Sequence, residues 1–268
     1  MSTIAPIFVG GAPRSGTTLV RAILNAHPDI ACGPELRAFP ALARLYKETV
    51  ATVGPTLEAH YIFNADELKA SFRGLMASFL EPFHERSGKR FVAEKTPANA
   101  LYFRELHKLF PESRFVHVVR DPRDVVASLI KMDWRDEKSG ERLPITASIK
   151  GAALGWRDHV AAAHAARGAG APVFDLHYER LVAAPAETIA NLFKFLGVPP
   201  SDEPLSHHRT FVPDDGENET SARAVTRPLN ADAVGRWRRE FSRSQINEIE
   251  ALAGPLINEC GYERAGDP

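Results

Sequence analysis

Short apolar runs alternate with longer helical stretches along most of this chain. Strands are predicted at four of these runs: Pro6–Gly10, Arg90–Glu94, Arg114–Val119 and Pro172–Leu176. The third run is almost continuously apolar, which is typical of a strand buried in a parallel sheet. Helices are predicted at Thr17–Ala26, Ala65–Ser87, Asn99–Leu109, Arg123–Lys131, Ile145–Ala166, Ala186–Leu196 and Ser242–Cys260. The pattern therefore predicts an α/β fold, a P-loop-like and mostly parallel sheet flanked by helices.

Two segments interrupt this alternation. Residues 133–144 are charged and polar, contain glycine and proline, and are predicted to form a loop or lid. Residues 207–227 have little apolar content and are predicted to be irregular and mobile. The sequence leaves open whether either segment closes over a substrate. Because there is no repeat, low-complexity tract or convincing linker, we expect residues 1–268 to form a single domain.

The composition is that of an ordinary globular protein. Hydrophobic residues make up 44% and charged residues 25% of the chain, and the net charge is −1. This balance gives no overall positive charge that would favour binding to nucleic acid. No apolar run approaches the roughly 20 residues that span a bilayer. The first residues lack the features of a signal peptide, so we expect a cytoplasmic location. Cys32 and Cys260 alone can form neither a disulfide framework nor a zinc quartet.

The segment Gly11–Thr18 carries the most specific chemical signal. It has the glycine spacing of a Walker A loop with threonine in place of the lysine, and it lies between an apolar run and a helical run. In such a unit, backbone N–H groups and the positive end of the helix bind an anion. We expect a 5′-phosphate to be bound by Arg14, Ser15, Gly16, Thr17 and Thr18. Since the missing lysine normally contacts the β- and γ-phosphates, the segment favours sulfuryl transfer over ATP hydrolysis.

A second anion site is predicted after the buried third strand. Arg120 lies where that strand ends, and Ser128 lies two helical turns further along the chain. Ligands of open α/β sheets bind outside the carboxyl ends of the strands, so these residues can bind a second phosphate. Two such sites suit a nucleotide phosphorylated at both its 5′ and 3′ ends. A surface Arg–Asp pair beside a helix cap is the alternative interpretation.

Together these segments resemble the sulfotransferases that use 3′-phosphoadenosine 5′-phosphosulfate (PAPS). Pro13–Thr18 resembles their 5′-phosphosulfate loop, and Arg120 with Ser128 resembles their 3′-phosphate site. Within that superfamily the chain is most similar to the protein-tyrosine sulfotransferases, in a soluble, bacterial type. The resemblance covers residues 7–237 and is carried by PRSGTTL at 13–19, LNAHP at 24–28, CGPELR at 32–37, EKTP at 94–97, the Arg120/Ser128 segment and YERL at 178–181.

The resemblance implies that Glu35 is the catalytic base. A carboxylate at this position would take the proton of the acceptor hydroxyl as its oxygen attacks sulfur. Glu35 could instead be a solvated loop residue or pair with Arg37. His27 and His117 are rival bases, although His27 suits a helix cap and His117 lies in a predicted strand.

Further roles follow from the same resemblance. Lys95, with Arg14, would stabilise charge on the leaving phosphate, and no metal would be required. Tyr178 and Arg227 match residues that contact the nucleotide, which leaves as 3′-phosphoadenosine 5′-phosphate (PAP). Alternatively, Lys95 is an exposed residue paired with Glu94, and Tyr178 is a half-buried residue at a strand end.

The acceptor is less well defined than the donor. A peptide tyrosine is the first choice, and a small-molecule, glycolipid or carbohydrate hydroxyl is the alternative. Cys32 matches a cysteine that is disulfide-bonded in the secreted relatives, but the partner position near Ala93 has no cysteine, which fits a reducing compartment. An acidic peptide would need a basic rim, for which the candidates are Arg37, Arg44, Lys47, Arg135, Lys138, Arg142, Arg209 and Arg223.

Two other functional classes stay open from the residues alone. A nucleotide kinase would use the glycine loop for ATP, but the missing Walker lysine counts against it. A non-catalytic nucleotide-binding protein is disfavoured because Glu35, Lys95 and both anion sites coexist. The oligomeric state is also open, with a homodimer as one alternative.

Overall fold

Five strands form one sheet, and each pair of neighbouring strands is parallel. The computed structural model describes residues 4–213 and 224–266. The sheet has the order β2-β3-β1-β4-β5, so β1 is central. The strands are β1 (Ile7–Gly11), β2 (Ile30–Cys32), β3 (Phe91–Lys95), β4 (Arg114–Val119) and β5 (Val173–His177). The predicted α/β class is confirmed, and β2 is an addition to the predicted strands.

Helices cover both faces of this sheet. The α-helices are α1 (Thr17–Ala26), α2 (Ala38–Thr52), α3 (Gly54–Tyr61), α4 (Ala65–Ser87), α5 (Phe103–Leu109), α6 (Pro122–Leu129), α7 (Pro144–Ala147), α8 (Ile149–Gly168), α9 (Tyr178–Ala183), α10 (Pro185–Leu196), α11 (Trp237–Glu240), α12 (Arg243–Ala253) and α13 (Leu256–Glu259). Two 3₁₀ helices run over Pro97–Tyr102 and Glu203–Arg209. The predicted helix over 99–109 therefore begins as a 3₁₀ helix. Sequence prediction missed α2, α3, α9 and α11.

Two helices that were predicted as continuous are interrupted. The helix predicted over 145–166 is broken at Ser148, whose backbone is extended and whose hydroxyl caps α8 by accepting from the Gly151 amide at 3.1 Å. A Cβ atom at Gly151 would lie 1.8 Å from a carbonyl oxygen of α7, so the close approach of the two helices needs glycine. The helix predicted over 242–260 is broken at Gly254, which has a positive φ of 64°.

Both faces of the central strand are buried. Phe8 faces one side of the sheet, where it stacks on Phe115 of β4 with ring centroids 5.6 Å apart, beneath α2, α4, α5 and α8. Ile7 and Val9 face the other side and pack against α1 and α10. Because apolar side chains hold β1 from both faces, its carboxyl end is fixed in space, and this end leads into the predicted phosphate loop.

The two segments predicted to be irregular differ in how far they are described. Residues 133–144 form a turn closed by an antiparallel bridge between Arg135 and Arg142. The segment 207–227 begins in a 3₁₀ helix, and its part from 214 to 223 lies outside the described residues. None of the helices within the described part of the chain is long and apolar enough to cross a membrane.

Candidate active site

A cavity of about 290 Å³ opens at the carboxyl edge of the sheet. It is lined by residues that follow β1, β4 and β5 and by the segment 224–236. Since β3 lies on one side of β1 and β4 on the other, this is where the strand order reverses, the point at which open α/β sheets bind ligands. The predicted nucleotide-binding residues that line it are Arg14, Gly16, Thr17, Thr18, Arg120, Ser128, Tyr178 and Arg227.

The loop between β1 and α1 has the geometry of an anion site. Gly16 has a φ of 106°, and a Cβ atom there would lie 2.7 Å from the ring of Tyr178, so both the backbone and the available space require glycine. The Ser15 amide donates to the Ala12 carbonyl at 3.0 Å and closes the turn. In the described structure no side chain caps the first turn of α1. Its first N–H groups can therefore bind an anion.

Arginine side chains converge on the cavity. Arg14 Nε donates to Ser128 Oγ at 3.0 Å, and Arg120 Nη1 donates to the Arg14 carbonyl at 3.2 Å. The Arg120 guanidinium also lies over the Tyr178 ring, 4.4 Å from its centroid. Burial, followed by the charges of Arg120 and Arg236, lowers the pKa of Arg14 to about 10, so Arg14 stays protonated near neutrality. Such a group of like charges favours an anionic ligand.

Arg236 lines the same cavity but was not among the predicted site residues. The buried Asp124 carboxylate accepts from the Gly235 amide at 2.7 Å and from the Trp237 amide at 3.1 Å. These two hydrogen bonds fix the backbone on both sides of Arg236 against α6. This arginine reaches the cavity through contacts between segments over 100 residues apart, and its position at the fading end of the family resemblance gave it no assigned role.

The structure contradicts the alternative in which Arg120 belongs to a surface Arg–Asp pair. Arg120 is 5% exposed, and its carbonyl accepts from Trp156 Nε1 at 2.9 Å. The Arg–Asp pair of this segment is a buried one between Arg123 and Asp121 at 2.8 Å, and Arg123 also pairs with Glu250 at 2.8 Å. This network ties α6 to α12 and leaves the Arg120 guanidinium at the cavity.

Three predicted nucleotide contacts lie in different surroundings. The Ser15 side chain is fully buried, does not line the cavity, and has no hydrogen-bond partner for its Oγ among the described residues. Ser15 can therefore contribute only through its backbone. Tyr178 begins α9 at the cavity wall, and burial raises the pKa of its hydroxyl. Arg227 is exposed at the cavity edge.

Two of the three predicted catalytic groups, Glu35 and Lys95, form an ion pair. Lys95 Nζ lies 2.7 Å from Glu35 Oε1; the lysine side chain is fully buried, and the glutamate side chain is 27% exposed. Arg37 Nε lies 3.8 Å from the second Glu35 oxygen. The alternative of an exposed Lys95 paired with Glu94 is wrong. Lys95 is in register with Val9 of β1, which places the pair at the same edge of the sheet as the cavity, although neither side chain lines it.

Both rival histidines have structural partners. His27 Nδ1 accepts from the Asp29 amide at 3.0 Å, so Nε2 carries the proton that it donates to the Pro199 carbonyl at 2.9 Å. His117 is buried in β4 with Nδ1 2.9 Å from Asp175 Oδ1, and burial lowers its pKa. Neither ring lines the cavity.

Several residues of the predicted basic rim are paired with carboxylates. Arg135 and Arg142 both pair with Asp133, at 3.0 and 3.3 Å. Arg44 lies 3.9 Å from a glutamate one turn along its own helix. Arg223 lies outside the described residues. The pairs reduce the positive charge that this group offers to an acidic ligand.

The sheet shows why Cys32 has no disulfide partner at the position expected from the secreted relatives. Cys32 and Ala93 are direct partners in the register of β2 and β3, which is the pairing position that lacks a second cysteine. Burial raises the pKa of the Cys32 thiol to about 12, so it is not a reactive thiolate. Across residues 4–213 and 224–266, no group of three or more His, Cys, Asp or Glu side chains could hold a metal ion.

Comparison with known proteins agrees with this geometry. A model of the sulfotransferase family matches residues 6–203. Protein-tyrosine sulfotransferase 1 of Danio rerio is 28% identical over 269 residues, which cover 98% of this chain and 73% of the relative. The sulfotransferase domain of the Synechococcus PCC 7002 olefin synthase has a TM-score of 0.66 at 20% identity and covers 98% of this chain and 97% of that one. Mouse sulfotransferase SULT7A1, solved in complex with PAP, has a TM-score of 0.51 at 14% identity and covers 97% and 85%. The two solved structures share the fold, and because the family model matches most of the chain, the chain belongs to the sulfotransferase family.

Proposed function

We propose that this sulfotransferase transfers a sulfuryl group from PAPS to the hydroxyl of a tyrosine in a peptide or protein. The observation that carries the proposal is the cavity in which the first turn of α1 meets Arg14, Arg120 and Arg236. Two groups of anion-binding residues in one cavity suit a nucleotide with phosphates at its 5′ and 3′ ends. PAP in the mouse structure supports the donor, and the activity named for the Danio rerio relative supports the acceptor.

The residues of the cavity divide into two phosphate subsites. The N-terminus of α1 and Arg14 would bind the 5′ side of the nucleotide, and Arg120 with Ser128 would bind the 3′-phosphate. The hydrogen bond from Arg14 to Ser128 joins the two subsites. The Tyr178 ring packs against the Arg120 guanidinium, and Arg227 would contact the nucleotide at the exposed edge of the cavity.

The chemical step assigns one role to each catalytic side chain. Glu35 accepts the proton of the acceptor hydroxyl as that oxygen forms a bond to sulfur. The bond between sulfur and the 5′-phosphate oxygen breaks, and Lys95 with Arg14 stabilises the negative charge left on that oxygen, so that PAP and the sulfated acceptor are the products. The 2.7 Å pair between Lys95 and Glu35 holds both groups in place before the acceptor binds.

A small-molecule, glycolipid or carbohydrate hydroxyl is the second candidate acceptor. The observation that favours it is the pairing of Arg44, Arg135 and Arg142 with carboxylates, which leaves less positive charge for an acidic peptide. Binding of an acidic peptide at a charged rim weakens as salt screens the charges, whereas an apolar pocket for a phenol is far less sensitive to salt.

A transfer assay with labelled PAPS separates these acceptors. Acidic tyrosine peptides, the same peptides with phenylalanine for tyrosine, and small phenols are compared at low and high salt. We expect label on the tyrosine peptides only, decreasing with salt, and a turnover about 10²–10⁴-fold lower in Glu35→Ala because a general base is lost. Label confined to the small molecules would overturn the peptide assignment. Binding of Mg-ATP without binding of PAP, measured by calorimetry, would support a kinase instead.

Three expectations from the sequence stay predictions. They are the cytoplasmic location, the single-domain organisation and catalysis without a metal. Fractionation of the source cells tests the first, limited proteolysis the second, and transfer in the presence of EDTA the third.

A further inference from the structure

A fully buried carboxylate lies next to the catalytic pair and takes no part in the steps above. Glu94 is 2% exposed and directly precedes Lys95 at the carboxyl end of β3. Burying a carboxylate is unfavourable unless hydrogen bonds compensate for the lost water. Burial raises the pKa of Glu94 to about 7, although its hydrogen bonds and Lys95 act in the opposite direction. Because burying this carboxyl group is unfavourable, we looked for the contacts that it makes in the site.

The hydrogen bonds of Glu94 join three segments of the site. Its Oε1 accepts from the Leu36 amide at 3.2 Å and from Thr96 Oγ1 at 2.7 Å, and its Oε2 accepts from Asn99 Nδ2. The other hydrogen of Asn99 Nδ2 goes to the Val9 carbonyl at 3.1 Å. The carboxylate therefore connects β3 to the segment between β2 and α2 and, through Asn99, to β1.

We propose that Glu94 is a positioning residue for Glu35. Leu36 directly follows Glu35, so the hydrogen bond from the Leu36 amide to Glu94 fixes the backbone next to the base. The side chain of Lys95, the next residue in β3, fixes the carboxylate end of Glu35. Two consecutive residues of one strand thus hold the base at both its backbone and its carboxylate. The inference rests on the proposed function for the role of Glu35.

Glutamine at position 94 keeps the shape but cannot keep all the contacts. If its amide nitrogen faces Asn99, two NH₂ groups oppose each other, unless Asn99 turns and loses its bond to Val9. If the nitrogen faces the other way, the bond from the Leu36 amide is lost. The first orientation disturbs the contact with Asn99, which holds the residue 94 side chain to β1, and the second breaks its bond to the segment that carries Glu35.

The kinetic test compares Glu94→Gln, Glu35→Ala and the double variant. Glu105→Gln is the matched control, since Glu105 is a buried carboxyl (7% exposed) in α5, outside the site. With PAPS and acceptor saturating, we expect Glu94→Gln to lower turnover about 10- to 100-fold, the effect of misplacing a catalytic group by about 1 Å. PAP affinity should be unchanged, and Glu94→Gln should cause no further loss in the Glu35→Ala background. Equal losses in both backgrounds, or wild-type turnover in Glu94→Gln, would overturn the proposal.

Amide hydrogen exchange gives a second readout that does not depend on activity. We expect the segment 33–37 to exchange about 10-fold faster in Glu94→Gln than in wild type or Glu105→Gln, because either the Leu36 amide loses its acceptor or that acceptor is no longer held by Asn99. Unchanged exchange in this segment would contradict the positioning role. If the wild type neither binds PAP nor transfers a sulfuryl group, the proposed function fails, and the exchange measurement still decides whether Glu94 holds the segment of Glu35.

Discussion

Replacing Glu35 by alanine should destabilise the folded protein in addition to slowing sulfuryl transfer. Lys95 Nζ is fully buried and lies 2.7 Å from the Glu35 carboxylate, whose side chain is 27% exposed. Removing one partner of a buried ion pair leaves the other charge buried, which costs about 3–5 kcal/mol. Because the lysine is the buried partner, we expect Glu35→Ala to cost about 3 kcal/mol. In Lys95→Met the remaining Glu35 can be hydrated, so we expect a cost of about 1 kcal/mol, near that of an exposed pair.

The free energy of unfolding can be measured by urea denaturation, with the three tryptophans as the fluorescence probe. The double variant should be less destabilised than the sum of the single variants, since the buried charge is then gone as well. Glu48→Ala is the control: Glu48 pairs with Arg44 on the surface at 3.9 Å, and its loss should change stability by at most about 0.5 kcal/mol. If Glu35→Ala and Lys95→Met lower the free energy of unfolding by the same amount, other polar groups or water stabilise the buried Lys95 ammonium, and the reasoning is refuted.

Three further changes have defined outcomes. Arg120→Ala should weaken PAP binding by roughly 2–5 kcal/mol in calorimetry, the effect of removing a desolvated phosphate contact; a loss below about 1 kcal/mol would exclude that contact. Gly16→Ala places a Cβ atom 2.7 Å from a ring carbon at a φ of 106°, so PAP affinity should fall about 10-fold or more, and unchanged affinity would contradict this. Glu94 has a pKa of about 7 in the folded protein against 4.5 in the unfolded chain, so its contribution to stability is present below about pH 4.5 and is lost as pH rises to about 7. At about 1.4 kcal/mol per pKa unit the loss is about 3 kcal/mol. Urea titrations across this pH range should show the free energy of unfolding of the wild type decreasing as pH rises. The same decrease in Glu94→Gln would assign the pH dependence to another group.

The parts of the site that could be predicted are those whose residues are close together in the chain. Glycine spacing after an apolar run was enough to predict the loop around Arg14 and Gly16, which lines the cavity. Arg120 and Ser128 were predicted from the end of a buried strand and the helix that follows it. In both cases one strand and the helix that follows it position all the residues, so the local sequence pattern is enough to predict that they lie together.

Contacts between distant segments were not predictable in the same way. The pair between Glu35 and Lys95 joins residues 60 positions apart, and the sequence offered nearer partners for both. Arg236 reaches the cavity because Asp124 holds the backbone beside it. The strand β2 has three residues, too few for a periodic pattern, and is defined by its pairing with β3.

The charge distribution at the carboxyl edge is itself an argument for an anionic ligand. Arg14, Arg120 and Arg236 are close enough for two of them to lower the pKa of the third, and Lys95 is completely buried one strand away. Like charges in a partly buried cavity lower the stability of the unliganded protein. Among the described residues, the contacts that hold them there include those with Ser128, the Tyr178 ring, the Asp124 carboxylate, Trp156 and the Ala233 carbonyl. These contacts orient the guanidinium groups or their backbone. A bound phosphate would bring negative charge to these like-charged side chains, so ligand binding and the stability of this edge of the sheet should be coupled.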